Sequence, residues 1–372
     1  MKILPCSIGG HDGALRGRLL GSILGAVSIM FASSASGETL RVPSQFPTIQ
    51  RAIDAAVDGD VVRLQAGIYQ PFATIDTLGK GITVQGEVGP GSTPLVTIDG
   101  RNSISLIQCV TGEGPETLFE NLIIKNGRSS QEGGGMLITN GSSPTVYNCA
   151  FIDNVSDCHG GAVAIISQTA QASSSPGFVE CIFEGNEAIC HGGGVYADRG
   201  NSVFVYCDFK SNRAVFGGGM YGLAGISTVV ECGFECNDAS ADGGGLHLGS
   251  IALANVSGCS FRFNSAFGTG AGIFFSSSSQ SLENSWLCGN TPDQIQGVFF
   301  DAGGNTVSTD CPPCPDANQD GIVNGADLAL LLSNWGPCTT SPCPADFNGD
   351  GIVNGGDLSG LLSSWGPCPG CR

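Results

Sequence analysis

Between residues 118 and 290 apolar and polar positions return in one frame: C-x-F-x-x-N, a short polar turn, a glycine cluster, then an apolar run. The instances are Cys149/Phe151/Asn154, Cys181/Phe183/Asn186, Cys207/Phe209/Asn212, Cys232/Phe234/Asn237 and Cys259/Phe261/Asn264. Looser forms flank them at Asn121/Ile123/Asn126 and Ser285/Leu287/Asn290. Successive phenylalanines lie 32, 26, 25 and 27 residues apart. Glycine clusters keep step at residues 133–135, 160–161, 192–194, 217–219, 243–245 and 270–272, the last with Ala271 inside. A period of about 25 with turn residues and no helical spacing predicts a solenoid whose rungs are β-strands. Strand alternation places Val203, Val205, Cys207 and Phe209 on one face and Phe204, Tyr206, Asp208 and Lys210 on the other. The Cys and Phe columns should stack inward about 4.8 Å apart. The Asn column should form an amide ladder at a corner, with glycines at the next one.

Helical spacing occurs only outside this frame. Ile49, Ala52, Ile53, Ala56 and Val57 share one helical face, so an amphipathic helix is expected to cap the open end of the coil. Near the C-terminus, Leu328, Leu331, Leu332 and Trp335 fall at i, i+3, i+4 and i+7, as do Leu358, Leu361, Leu362 and Trp365. Gly336-Pro337 and Gly366-Pro367 should end these two helices, whose apolar faces are expected to pack together about a pseudo-twofold axis.

Each of these helices follows a twelve-residue loop with oxygen side chains at positions 1, 3, 5, 9 and 12 and glycine at position 6, the spacing a hard cation needs. The first loop offers Asp316, Asn318, Asp320, Asn324 and Asp327 with the carbonyl of Ile322. The second offers Asp346, Asn348, Asp350, Asn354 and Asp357 with the carbonyl of Ile352. Two calcium ions are therefore expected, although position 12 is Asp where the EF-hand loop has Glu. The duplicated D-x-N-x-D-G-x-x-N-x-x-D-L resembles a type I dockerin over about residues 314–368. That resemblance implies calcium at both loops and docking to a cohesin-like or cell-surface protein. It departs from the family at Gly325-Ala326 and Gly355-Gly356, where Ser/Thr-type recognition residues are usual, so the partner surface does not carry over residue by residue.

The repeats and the opening L-R-V-P-S-Q-F-P-T-I-Q-R-A-I-D-A-A-V resemble the right-handed parallel β-helix of the pectate-lyase superfamily over about residues 38–308. G-G-A with F-x-x-N also resembles chlamydial polymorphic membrane proteins, in the repeat only. The expected fold is mainly β: a right-handed parallel β-helix solenoid with an N-terminal capping helix, plus a small C-terminal α domain of two calcium loop-helix units.

Composition bounds the rest. Gly is abundant at 58 residues without a G-X-Y period, which excludes collagen and suits turn-rich β architecture. A net charge of −18 with only 15 Lys and Arg excludes nucleic acid and anionic membrane surfaces as partners. Lys2, Arg16 and Arg18, the apolar residues 19–32 and the small residues that follow read as a secretory signal over residues 1–37. The organisation expected beyond it is the coil over 38–308, a linker over 309–315 and the calcium module over 316–368. Loss of Cys6 with the signal leaves an even number of the 17 cysteines, as suits a secreted, extracellular or cell-surface protein, expected to be a monomer. Six of them (Cys311, Cys314, Cys338, Cys343, Cys368, Cys371) bracket the calcium loops and allow 15 pairings.

No catalytic constellation stands out. The densest acidic cluster is Asp153, Asp157, Glu184 and Glu187 on neighbouring rungs, beside His159 and His191, and a solvated face explains it as well as an active site. The repeated Cys158-His159 and Cys190-His191 have a composition suited to zinc. Successive strand residues diverge, however, so four ligands converge only where the chain turns, and a Cys158–Cys190 bridge or buried thiols fit more simply. Two readings follow. One is a secreted β-helix protein that binds or degrades extracellular polysaccharide, as a polysaccharide lyase or glycoside hydrolase if an enzyme, with the calcium module for attachment. The other is a non-catalytic surface or adhesive rod whose calcium loops are purely structural.

Overall fold

The structure, a computed structural model, describes residues 37–167, 173–311, 314–339 and 343–368. The expected signal peptide lies outside the described residues except for Gly37. Two compact units divide between Asp310 and Cys311.

The first unit is a parallel β-coil with ten-, six- and 18-stranded sheets. In the ten-stranded sheet, Phe151, Phe183, Phe209, Phe234 and Phe261 stand in register on successive rungs. Their rings are fully buried and stack 4.5–5.2 Å apart. The Cys column is buried as a file of small fillers: Cys149, Cys181, Cys207, Cys232 and Cys259 are free thiols. Each thiol donates to a neighbouring carbonyl, and burial pushes that of Cys149 up to about 12.

The Asn column is a continuous amide ladder. Asn154, Asn186, Asn212, Asn237 and Asn264 each donate from Nδ2 to Oδ1 of the next asparagine at 2.8–3.0 Å, ending at Asn290. The same Nδ2 groups donate to carbonyls of the preceding rung, as Asn212 does to Phe183 at 2.9 Å.

Strict alternation fails at one place. Phe204 points inward and stacks on Phe178 at 5.1 Å, against the expectation that it lies opposite Phe209. The reason is Tyr206, whose φ of 55° makes a left-handed corner that resets the side-chain phase. Asn148, Glu180 and Glu231 adopt the same conformation on neighbouring rungs and Gly258 on the next, so this corner is built mostly from residues other than glycine.

At the glycine corner the second glycine is held by close approach. A Cβ on Gly218 would lie 2.5 Å from the carbonyl of Asp238 and 2.6 Å from that of Gly244. Both belong to backbone fixed in the next rung, so Gly218→Ala is expected to cost about 1–3 kcal/mol, as overpacking does. Urea unfolding should show the midpoint falling with an unchanged slope.

The cap helix spans Ile49–Ala55 and buries Ile49, Ala52 and Ile53. Thr48 caps it by accepting from the Arg51 N–H. Ala56 follows in extended backbone, which turns Val57 away from the core to 66% exposure, so helical spacing does not hold as far as Val57.

The second unit contains helices Gly325–Ser333 and Gly355–Ser363, which contact each other. Ile322–Val323 pairs with Gly366–Pro367, and Gly336–Pro337 with Ile352–Val353, so each half clasps the other in a twofold-related way. Val323, Leu331, Ala345, Val353 and Leu361 form the buried core, with Leu328 and Leu358 against it. Leu332, Trp335, Leu362 and Trp365 are 39–55% exposed, so only half of each expected apolar face is buried. A nine-residue helix ends before the tryptophan and cannot carry it onto the shared face. Disulfides join Cys314 to Cys368 and Cys338 to Cys343, and Cys311 is also bridged.

Candidate functional site

After each glycine cluster the first apolar residue enters the core and the next points out. Val195, Met220, Leu246 and Ile273 are fully buried, while Tyr196, Tyr221, His247 and Phe274 occupy one outer column in register. A second column, Glu132, His159, His191 and Phe216, lies at the glycine corner. The two interleave. His159 stacks on Tyr196 at 4.4 Å, His191 on Tyr221 at 4.7 Å, Tyr221 on His247 at 4.8 Å and His247 on Phe274 at 4.6 Å. Because rings cover one another's faces, Tyr196, Tyr221 and His247 are only 6–9% exposed.

Asp198 stands two residues beyond Tyr196 on the same strand face. Its Oδ2 accepts from Arg199 at 3.0 Å, while Oδ1 has no hydrogen-bond partner among the described residues although the side chain is only 9% exposed. Burial raises the pKa of Asp198, with Arg199 acting against it. Burial and then the charge of Asp198 raise that of Glu132. The imidazoles move the other way: burial lowers His159, and brings His191 and His247 down to about 4. The strip therefore holds neutral histidines beside two carboxyl groups biased toward protonation, a composition that can donate and accept protons or hydrogen bonds.

Tyr196, Tyr221, His247, Phe274, Glu132 and Asp198 were not singled out by the repeat frame, yet a signal exists: an aromatic or histidine follows the first apolar residue after four successive glycine clusters. The four acids of the sequence cluster are not brought together. Glu184 ends a strand of the ten-stranded sheet, Glu187 belongs to the six-stranded sheet and Asp153 occupies a left-handed corner, all exposed. Asp157 pairs with Arg128 at 2.6 Å.

The tail loops are held by their own carboxylates. Asp316 accepts from the N–H groups of Asp320 and Gly321 at 3.1 and 2.7 Å, and Asp346 from those of Asp350 and Gly351 at 3.1 and 2.9 Å. Asp327 and Asp357, buried at loop position 12, accept from Asn324 and Asn354 and complete capping boxes for the helices. Burial acts to raise both pKa values, but the backbone donors more than offset it and hold them below the ordinary range. Among the described residues, no Lys or Arg forms an ion pair with any loop aspartate.

Residues 75–221 match the family model described as a right handed beta helix region. The coil is thus a right-handed parallel β-helix. None of the curated proteins matches the chain. Among solved structures, a protein of Geobacillus virus E2 is 17% identical at a TM-score of 0.41, with 80% of this chain covering 63% of that one. A pectate lyase is 12% identical at 0.37, covering 82% of this chain and 86% of its own. The pectin methylesterase of Aspergillus niger is 14% identical at 0.31, covering 75% and 93%.

Proposed function

We propose that this is an exported β-helix protein whose outer strip binds extracellular polysaccharide, and whose C-terminal module binds two calcium ions and attaches the coil to a partner protein. The carrying observation is the row of Tyr196, Tyr221 and His247 edges with Asp198 and Glu132. It repeats once per rung, about every 4.8 Å, and mixes donors with acceptors as a chain of sugar hydroxyls requires. Asp198, with one unpartnered oxygen and a raised pKa, is the group best placed to act as an acid if the bound glycan is also cleaved.

Calcium fits the tail on the chemistry of its donors, which are all oxygen and half of them carboxylates. Asp316, Asn318, Asp320, Ile322, Asn324 and Asp327 would hold one ion and Asp346, Asn348, Asp350, Ile352, Asn354 and Asp357 the other. The exposed Leu332, Trp335, Leu362 and Trp365 supply an apolar surface for a cohesin-like or cell-surface partner. The rod reading retains one supporting observation: the stacked rings already cover their own faces, as a purely structural ladder would.

Retention of the full chain on pectins, alginates and neutral glycans tests the first part. Tyr196→Phe with Tyr221→Phe removes two hydroxyls and is expected to weaken binding about 10-fold, at roughly 0.7 kcal/mol per hydrogen bond. Asp198→Asn should leave binding within about 3-fold and abolish any release of reducing ends. Folded protein that neither binds nor cleaves any of these glycans would leave the rod.

A further inference from the structure

We propose that the corner formed by Cys158, His159, Cys190 and His191 binds one soft divalent cation of the zinc type. Nothing in the polysaccharide or calcium reading requires this site. The objection from strand alternation is removed by the fold, because both Cys-His pairs lie at the glycine corner, where Gly160 and Gly192 turn the chain with φ of 65° and 67°. The Cys158 sulfur, a ring nitrogen of His159 and the Cys190 sulfur lie within 4.8 Å of one another. Zinc–sulfur and zinc–nitrogen bonds of about 2.3 and 2.0 Å bring tetrahedral ligands to within about 4 Å of each other, so small side-chain rotations close the set.

The fourth ligand is assigned to His191, whose ring must rotate to join the other three. Its Nδ1 stands 3.1 Å from Nδ1 of His159, the two rings stacked at 4.8 Å. Two neutral imidazole lone pairs repel at that distance unless one nitrogen carries a proton, and a cation between sulfur and nitrogen resolves the contact differently. Glu132, the bridge partner of His159 on the preceding rung, adds a carboxylate in the surrounding shell.

The ligands are confined to two rungs. The same corner positions hold Gln131-Glu132, Val215-Phe216, Ala241-Asp242 and Gly268-Thr269 elsewhere, so Cys-His is no requirement of the repeat. Both thiols are unbridged and half-buried, unlike the inner Cys column, which the core encloses. The other compact cluster of ligand types, Cys338, Cys343 and Asp346, has its two sulfurs joined in a disulfide. Binding displaces one proton from each thiol to solvent, and the backbone hydrogen bond from Cys190 N–H to the Cys158 carbonyl at 2.9 Å already fixes the spacing of the rungs.

The test is cobalt and zinc titration of the full chain under mild reduction. About one equivalent, with a thiolate-to-cobalt charge-transfer band, is expected, and the all-oxygen loops cannot produce that band. Cys158→Ser with Cys190→Ser should abolish it, while His159→Gln with His191→Gln should weaken affinity at least about 10-fold with both thiols intact. The histidine pair decides the matter if the serine pair does not fold. Less than about 0.2 equivalents bound by folded, reduced protein overturns the proposal. So does peptide mapping that finds Cys158 joined to Cys190 in the exported protein, since adjacent rungs place them within bridging range.

Discussion

Replacing Asn212 with alanine is expected to lower the unfolding free energy of the coil by about 3–5 kcal/mol, a loss comparable to the whole stability of a small domain. The amide is fully buried, and its Oδ1 accepts from both the backbone N–H and Nδ2 of Asn186 at 3.0 and 2.9 Å. Its Nδ2 donates to the Phe183 carbonyl and to Asn237, both at 2.9 Å. Truncation strands the Asn186 donors and the Phe183 carbonyl where water does not reach, at about 1–3 kcal/mol for each group left unsatisfied. Aspartate is no substitute: it accepts but does not donate, and it would bury a charge against the Asn237 oxygen. Asn290→Ala should cost about as much, since Asn290 accepts from Asn264 and donates to the Phe261 carbonyl and to Gln294, which takes the next place in the ladder. Urea unfolding followed by far-ultraviolet circular dichroism gives both values. A loss below about 1 kcal/mol for Asn212→Ala would show that stacked strands, and not the ladder, hold this corner.

The columns that were legible in the chain are those whose chemistry differs from their surroundings. Asn154 through Asn264 announce a ladder because a buried amide needs a partner on each side, and Phe151 through Phe261 announce a stack because nothing else that large recurs at the period. Tyr206 was not legible as a corner, since its residue type carries no preference for the left-handed region and only the closing fold holds it there. Its effect on Phe204 shows how a single corner inverts an alternation argument. The candidate strip escaped for another reason. Tyr196, Tyr221, His247 and Phe274 share a position but not a residue type, so the column exists in register and not in spelling. Conversely, Glu184 and Glu187 look like neighbours in sequence, yet a three-sided coil carries them onto different sheets. The two tail helices were legible because their caps and apolar spacing are local, and the part that failed, burial of Trp335 and Trp365, is the tertiary part.

Saturating calcium is expected to stabilise the C-terminal module by about 5 kcal/mol relative to chelator, at roughly 2.7 kcal/mol for each site held at one hundred times its dissociation constant. Without the ion, each loop keeps three aspartates within twelve residues and, among the described residues, no ion-paired Lys or Arg, and their mutual repulsion opposes the fold. The core that must resist it is small: among the described residues Val323, Leu331, Ala345, Val353 and Leu361 are buried, with Leu328, Phe347 and Leu358 partly buried against them. The Cys314–Cys368 bridge, closing a separation of 54 residues, contributes about 4 kcal/mol through the unfolded chain, so oxidised protein should survive chelation in part and reduced protein should not. The discriminating variants avoid the helix caps. Asp316→Ala and Asp346→Ala remove the first ligand of each loop while Asp327 and Asp357 still serve the capping boxes. Each should drop calorimetric uptake by one ion per chain, and together they should make the module's unfolding insensitive to calcium. If wild-type protein takes up no calcium and melts identically in chelator, the aspartates are helix caps alone. Attachment through this module would then have to rest on its exposed Leu332, Trp335, Leu362 and Trp365 without an ion to order them.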